Sequence, residues 1–324
     1  MRPSRFSLLV GLALGTGPLA AQDTATVVTG GAVFLLFPVG GRATALGQAA
    51  VADGGSGESA FWNPAGLALL TLAELNIHHA RPFASNNTAI AGYVASRRLG
   101  VVGVAAYLVD YGSQPITPGP GDPTGRIALR NIQLLASYAT PIGSSLAVGV
   151  NYKFIQFRHD CSGDCDLFPT AVGTTHGVDL GLQFGIGPTD ALRLGVAVQH
   201  AGFALQVENR QQADPLPTRV QVGAVYRVGL PTPPGAEPTH VRMLLDLQDA
   251  WGSYRNPEVR LGMELVYGEL VQLRGGYAFL HSESRGPSIG AGLQFGRLAL
   301  DFARVLFASG TFDEPVYLSL RARL

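Results

Sequence analysis

Charged residues make up 14% of the 324 positions, against roughly 25% in soluble domains, while apolar residues reach 47% and glycine supplies 42 positions. Lys and Arg number 23 and Asp and Glu 23, so the formal net charge is zero and no basic nucleic-acid footprint is present. Such a chain is poorly suited to a water-soluble enzyme of this size and suits one that shows an apolar face to lipid.

The first residues read as an export leader. Arg2 and Arg5 form the charged start, Phe6 to Leu14 the apolar stretch, and Leu19-Ala20-Ala21 a small-residue cleavage site before Gln22, which predicts a signal peptide over 1–21. No run of eighteen apolar residues follows, so no membrane helix is predicted.

Residues 22–33 are small, polar and Gly-containing, the composition of a flexible start. Residues 34–73 differ from everything after them. Ala43 to Ala52 reads as a short helix or a tightly packed small-residue stretch, which Asp53-Gly54-Gly55-Ser56-Gly57 breaks. In Phe61-Trp62-Asn63-Pro64-Ala65-Gly66-Leu67, Asn63 can cap a helix, Pro64 takes the first helical position, and Trp62 can staple onto Leu67. A piece this short and Gly-rich needs a cavity to sit in, and 22–73 is read as an N-terminal segment with a plug.

From 74 onward one pattern repeats about fourteen times: 8 to 12 residues with every second side chain apolar, then a break of Gly, Pro, Ser, Asp or Asn. Period two means strands with one apolar face. They are predicted at 74–81, 88–97, 100–110, 127–139, 145–158, 174–187, 191–201, 218–229, 239–250, 257–267, 270–280, 287–295, 298–308 and 316–324. Connections alternate between tight (Arg98-Leu99, Pro188 to Asp190, Gly268-Glu269, Gly296-Arg297) and long (Ser113 to Arg126, His159 to Gly173, Gly202 to Pro217). That alternation is expected of an all-β outer-membrane barrel, with tight turns periplasmic and long loops outside. Leu230 to Pro238, with four prolines, is long for a periplasmic turn.

In the eight cleanest strands the apolar face carries no charge, while the other carries Asp179, Arg193, Arg227, Arg242, Asp246, Arg260, Glu264, Arg274, Arg321 and Arg323. Arg at mid-depth on a lipid face costs roughly 2 to 4 kcal/mol, so this face is predicted to turn to the lumen. Fourteen strands also enclose too wide a space to fill with side chains from the wall alone. Val101 to Val109 is apolar on both faces, as a wall against an internal plug would be, whereas Asp301 and Arg304 fall on opposite faces of one run and call for a bulge.

No catalytic set is found. His78 and His79 are adjacent on a strand and point to opposite faces. Asp160, Asp164 and Asp166 lack the spacing of a Ca²⁺ loop, and Gly40 to Gly47 lacks the ending of a phosphate loop. The two cysteines, Cys161 and Cys165, are four apart in an exported chain and read as a local disulfide. No metal or cofactor is expected.

The lumen set holds seven arginines and three acids, whereas the plug has Arg42, Asp53 and Glu58. The lumen arginines are expected either to seat the plug through Asp53 or Glu58, or to bridge to Asp179, Asp246 and Glu264 across the wall; any remaining positive field favours anionic solutes. Asn63-Pro64-Ala65-Gly66 is either a fixed helix start or part of a moving gate.

The stretch Gly41 to Asp53 followed by Phe61-Trp62-Asn63-Pro64-Ala65-Gly66-Leu67-Ala68 resembles the N-terminal signature of the PorV/PorQ family of outer-membrane proteins, relatives of the FadL-type transporters. Leu216-Pro217-Thr218-Arg219, Arg274-Gly275-Gly276-Tyr277 and Gly290-Ala291-Gly292-Leu293 agree with it. The resemblance implies a fourteen-stranded barrel with its N-terminal segment folded into the lumen, and a role in type IX protein secretion with exported proteins or secretion subunits as partners. The FadL-type relatives imply the alternative, passage of hydrophobic or anionic small molecules with a ligand in the lumen. Outer-membrane lipid surrounds the chain in either case.

Overall fold

A computed structural model describes residues 31–324 apart from 83–84, 97, 118, 167–168, 188–190, 207–212, 269, 282–284 and 308–313. The expected leader at 1–21, most of the flexible start and the turn at Pro188 to Asp190 lie outside the described residues.

Fourteen antiparallel strands form one closed barrel. They are β1 (Glu74–Ala80), β2 (Asn86–Ser96), β3 (Gly100–Ile116), β4 (Gly125–Ile142), β5 (Leu146–Gly163), β6 (Ala171–Ile186) and β7 (Leu192–Gly202). The second half comprises β8 (Arg219–Gly229), β9 (Thr239–Ala250), β10 (Glu258–Tyr267), β11 (Val271–Phe279), β12 (Gly286–Phe295), β13 (Leu298–Val305) and β14 (Val316–Arg323). Each strand pairs with its sequence neighbours, and β14 closes onto β1 from Glu74↔Arg323 to Ala80↔Tyr317. Closure gives every strand a partner on both sides, the condition for a sheet to sit in hydrocarbon.

The alternation decides which face points where. On β6, Val178, Leu180, Leu182 and Phe184 are exposed outside, while Asp179 and Gln183 are buried inside. Leu245, Leu247, Leu261, Leu265, Leu318 and Leu320 continue the outer apolar surface. Asp246, Arg260, Glu264, Arg274 and Arg321 are buried on the inner one. The β13 run needs no bulge. Asp301 faces the lumen, and Arg304 faces outward at the last pairing of the β13–β14 ladder, at its outer end, where Glu314 meets it at 2.5 Å. Outward charge is tolerated there because it lies near the interface instead of at mid-depth.

Tight turns and the start of β1 share the periplasmic end; Gly268 and Gly296 in two of these turns have φ of 58°, which glycine adopts without strain. At the outer end β3 to β6 are 17, 18, 18 and 16 residues long, beyond the roughly 9 to 11 a crossing requires. Part of the expected loops 113–126 and 159–173 is therefore strand. After an irregularity between Asp110 and Ser113 the β3–β4 ladder resumes to Ile116↔Gly125, and β4–β5 runs to Gly125↔Gly163. Polar residues there ended the sequence alternation without ending backbone pairing. Cys161 and Cys165 form the disulfide at the tip of this extension.

Candidate functional site: the barrel interior

Residues 31–73 run through the barrel from wall to wall. The path begins at the outer end, where the Gly31 N–H donates to Pro215 O at 2.8 Å. A 3-10 turn, Val33–Leu36, brings Phe34 and Leu35 inside. The short helix α1 (Gly41–Ala45) then lies along β11 to β14. Its Gly and Ala residues let backbone rest on wall: Gly41 N donates to Ser319 Oγ at 2.7 Å, and Gly47 N to Ser288 Oγ at 3.1 Å.

The segment next touches β9, where the Asp246 carboxylate accepts from Ala50 N at 2.7 Å and Val51 N at 2.8 Å. It returns through two 3-10 turns, Gly57–Phe61 and Pro64–Leu69, the second packed on β4, β5 and β6. Asn63 caps this turn by accepting from Ala65 N at 3.0 Å. Its amide donates to Val51 O at 2.7 Å and to two wall carbonyls, Leu182 O at 3.1 Å and Val196 O at 3.3 Å. A side chain on Gly181 would collide with the Asn63 oxygen, and one on Gly149 with the Pro64–Ala65 peptide, so glycine on the wall is what admits this motif.

Wall amides complete the backbone accounting. Gln183 donates to Val51 O at 3.0 Å and Asp53 O at 2.7 Å, Gln199 to Phe61 O at 2.9 Å and Trp62 O at 2.7 Å, and Asn151 to Ala60 O at 2.7 Å. Each satisfies carbonyls that no sheet or long helix would otherwise pair. Sequence reasoning followed charges and missed these uncharged amides, although all three occupy inward positions of their strands.

Two electrostatic networks lie against the segment. In the first, Arg42 pairs with Asp53 at 2.6 Å and Glu264 at 3.2 Å, and Arg242 pairs with Asp53 and, at 2.7 Å, with Glu264. Arg274 bridges Glu264 at 2.7 Å and Asp301 at 2.6 Å, and Arg321 reaches Asp301 at 3.1 Å. Burial pushes the Asp53 carboxyl up, but the guanidiniums of Arg242 and Arg42 override it and hold it below the ordinary range. Among the described residues Glu58 takes no arginine partner; it accepts from Ala43 N at 2.7 Å. Burial first, and the nearby Asp301 second, push Glu58 up to about 7.

The second network was not anticipated. Buried Lys153 meets Asp179 at 2.7 Å and the His200 ring at 2.8 Å, while Asp179 also accepts from Asn151 at 2.8 Å and from His200 N at 2.8 Å. Arg260 pairs with Glu258 at 3.0 Å, Arg323 with Glu74 at 3.6 Å, and Arg227 meets the His240 ring at 3.4 Å. Arg193 lines the periplasmic end of the lumen beside Arg227. His78 faces inward onto Ser319, whereas His79 contacts Thr88 on the other face.

The interior is thus divided. Toward β2 to β5 it is apolar: Phe34, Leu35, Val39, Phe61, Trp62 and Leu67 pack on Tyr93, Val101, Tyr107, Val109, Leu135 and Ile155. Trp62 Nε1 donates to Val39 O at 3.0 Å, so the indole is buried with its one donor satisfied. Toward β9 to β14 it is ionic.

This architecture has counterparts among solved structures. TbuX, the toluene transporter of Ralstonia pickettii, matches with a TM-score of 0.58 at 14% identity, over 88% of this chain and 98% of that one. The fold is that of the outer-membrane toluene transporters. TodX, the toluene transporter of Pseudomonas putida, gives 0.53 at 10% identity over 86% and 95% of the two chains. A TodX deltaS2 mutant, described as a monoaromatic hydrocarbon channel, gives 0.55 at 11% over 87% and 96%. No family model and no curated protein matches the sequence. The chain is a closed fourteen-stranded β-barrel with the fold of these toluene transporters.

Proposed function

We propose that this barrel passes hydrophobic small molecules across the outer membrane, with residues 31–73 as the plug that closes it. The observation that carries the reading is the divided interior: apolar side chains of the plug and wall fill one half, while ion pairs join the plug to the other. An apolar solute gains by leaving water for such a surface. A crevice beneath the outer opening, edged by Leu35, Val39, Trp62 and Tyr107 with Lys153 and His200 opposite, has room for about one water molecule, so residues 31–73 must shift before a solute can enter there. The match to toluene transporters along nearly their whole length supports this reading. The likeness to secretion components rests on sequence motifs alone, the N-terminal signature and the later strand pieces, so transport replaces secretion as the first reading.

The test is uptake of radiolabelled toluene by cells expressing the full chain, compared with vector alone. Uptake should rise and should fall back when Trp62→Arg puts a charge in the apolar half. Unchanged uptake with a folded barrel in the outer membrane would refute the reading.

A further inference from the structure

Beneath the ionic half of the interior lies a cavity of about 480 Å³ at the periplasmic end. Its wall comes from the tight-turn ends of β7 to β12 and β14, with the plug residues Arg42, Ala52 and Gly54 above. The lining is polar and arginine-rich. Arg42, Arg227, Arg242, Arg274, Arg321 and Arg323 all contribute, and Arg193 stands beside them.

The charges around this basin do not cancel among the described residues. Setting Arg193 aside, six guanidiniums face five carboxyls: Glu264 serves Arg42, Arg242 and Arg274, Asp53 serves Arg42 and Arg242, Asp301 serves Arg274 and Arg321, Glu74 serves Arg323, and Glu58 lies within electrostatic reach of Arg42 and Arg321. Arg227 meets an imidazole instead of an acid. One positive charge therefore remains when Glu58 is ionised, and two when it is protonated, in a recess whose walls reduce screening by water and salt. Structural ion pairing alone does not account for arginines gathered in such excess around an open cavity.

We propose that this basin binds a phosphate group carrying two or more negative charges, from the periplasmic side. Arginine forks match phosphate oxygens in pairs, and a tetrahedral oxyanion can accept from several forks that converge from different strands. The chemistry is shared by a free phosphoester and by a phosphate headgroup of the inner leaflet. The inference is independent of what crosses the apolar half.

The test titrates the full chain, in zwitterionic detergent at fixed ionic strength, with sodium pyrophosphate against a matched chloride control. A second arm places the protein in nanodiscs of phosphatidylcholine with and without phosphatidate. Saturable pyrophosphate binding supports a soluble ligand, and binding that appears only with phosphatidate supports a headgroup; in either arm Arg227→Gln with Arg323→Gln should weaken it about tenfold. Arg227→Gln alone, at a rim position with no described carboxylate partner, should weaken it by a smaller factor and guards against misfolding of the double variant. No binding beyond the chloride control in both arms, or binding that folded variants retain in full, would overturn the proposal.

Discussion

Arg242, on the wall, pairs with Asp53, on the enclosed segment, and the same guanidinium reaches Glu264 at 2.7 Å. One arginine thus ties the segment to the strand ladder of β9 and β10. Asp53→Lys should leave Arg42 and Arg242 facing a third cation. Breaking a buried pair costs about 3 to 5 kcal/mol, and the partial exposure of both arginines lowers that figure. The expected result is loss of amide protection across 41–55 and larger, noisier conductance in planar bilayers; wild-type protection and conductance would show that the pair does not seat the segment.

Asn63→Ala removes the amide shared by Val51 O, Leu182 O and Val196 O; Val51 O keeps Gln183 as a donor, and the loss of such a buried hydrogen bond costs about 1 kcal/mol. Hydrogen exchange should quicken in 57–70 while the strands stay protected. Exchange confined to wild-type rates would place the anchor elsewhere.

Lys153→Met strips Asp179 of its ammonium partner. Loss of one member of a buried pair should destabilise the barrel by about 3 to 5 kcal/mol, read as a lower urea midpoint in detergent. Adding Asp179→Asn should restore much of the loss, because no uncompensated charge then remains. Additive losses in the double variant would contradict this.

The pH response follows from the carboxyls of the enclosed segment. Glu58 is raised to about 7, so ionising it opposes seating from its ordinary range upward, and the penalty is fully present above about 7. Asp53 is lowered, so its contribution persists down to acid pH and fades only as pH falls through its depressed value. Seating should therefore strengthen from pH 8 to pH 5.5, seen as slower intrinsic-rate-corrected exchange at 41–45. Glu58→Gln should remove the difference; a response that survives Glu58→Gln would assign it to another group.

Strand number and facing were readable because lipid imposes a rule of period two, with charges on one side and leucines on the other, as on β6 and β9. Strand ends were less readable where hydrogen bonding continues beyond the apolar pattern, as at Ser113↔Ala128. Inside, charge counting pointed to Asp53 but also to Glu58, whose carboxylate takes a backbone N–H that side-chain identity does not reveal. Lys153 stood on β5, outside the eight strands whose charges set the inner face, and its burial depends on Asp179 and His200, 26 and 47 residues away. Gly181 and Gly195 carry no side-chain signal at all; their use shows only when the segment lies against them.

If residues 31–73 close the barrel, they must shift for a solute to pass, and one crosslink tests this. A Cβ at Gly41 would lie 3.4 Å from Ser319 Oγ, so Gly41→Cys with Ser319→Cys can tie helix α1 to β14. With both single variants as controls, oxidation should cut toluene uptake by about tenfold or more and a reductant should restore it. Equal uptake in the oxidised and reduced states, with the crosslink confirmed by mass, would contradict a plug that moves.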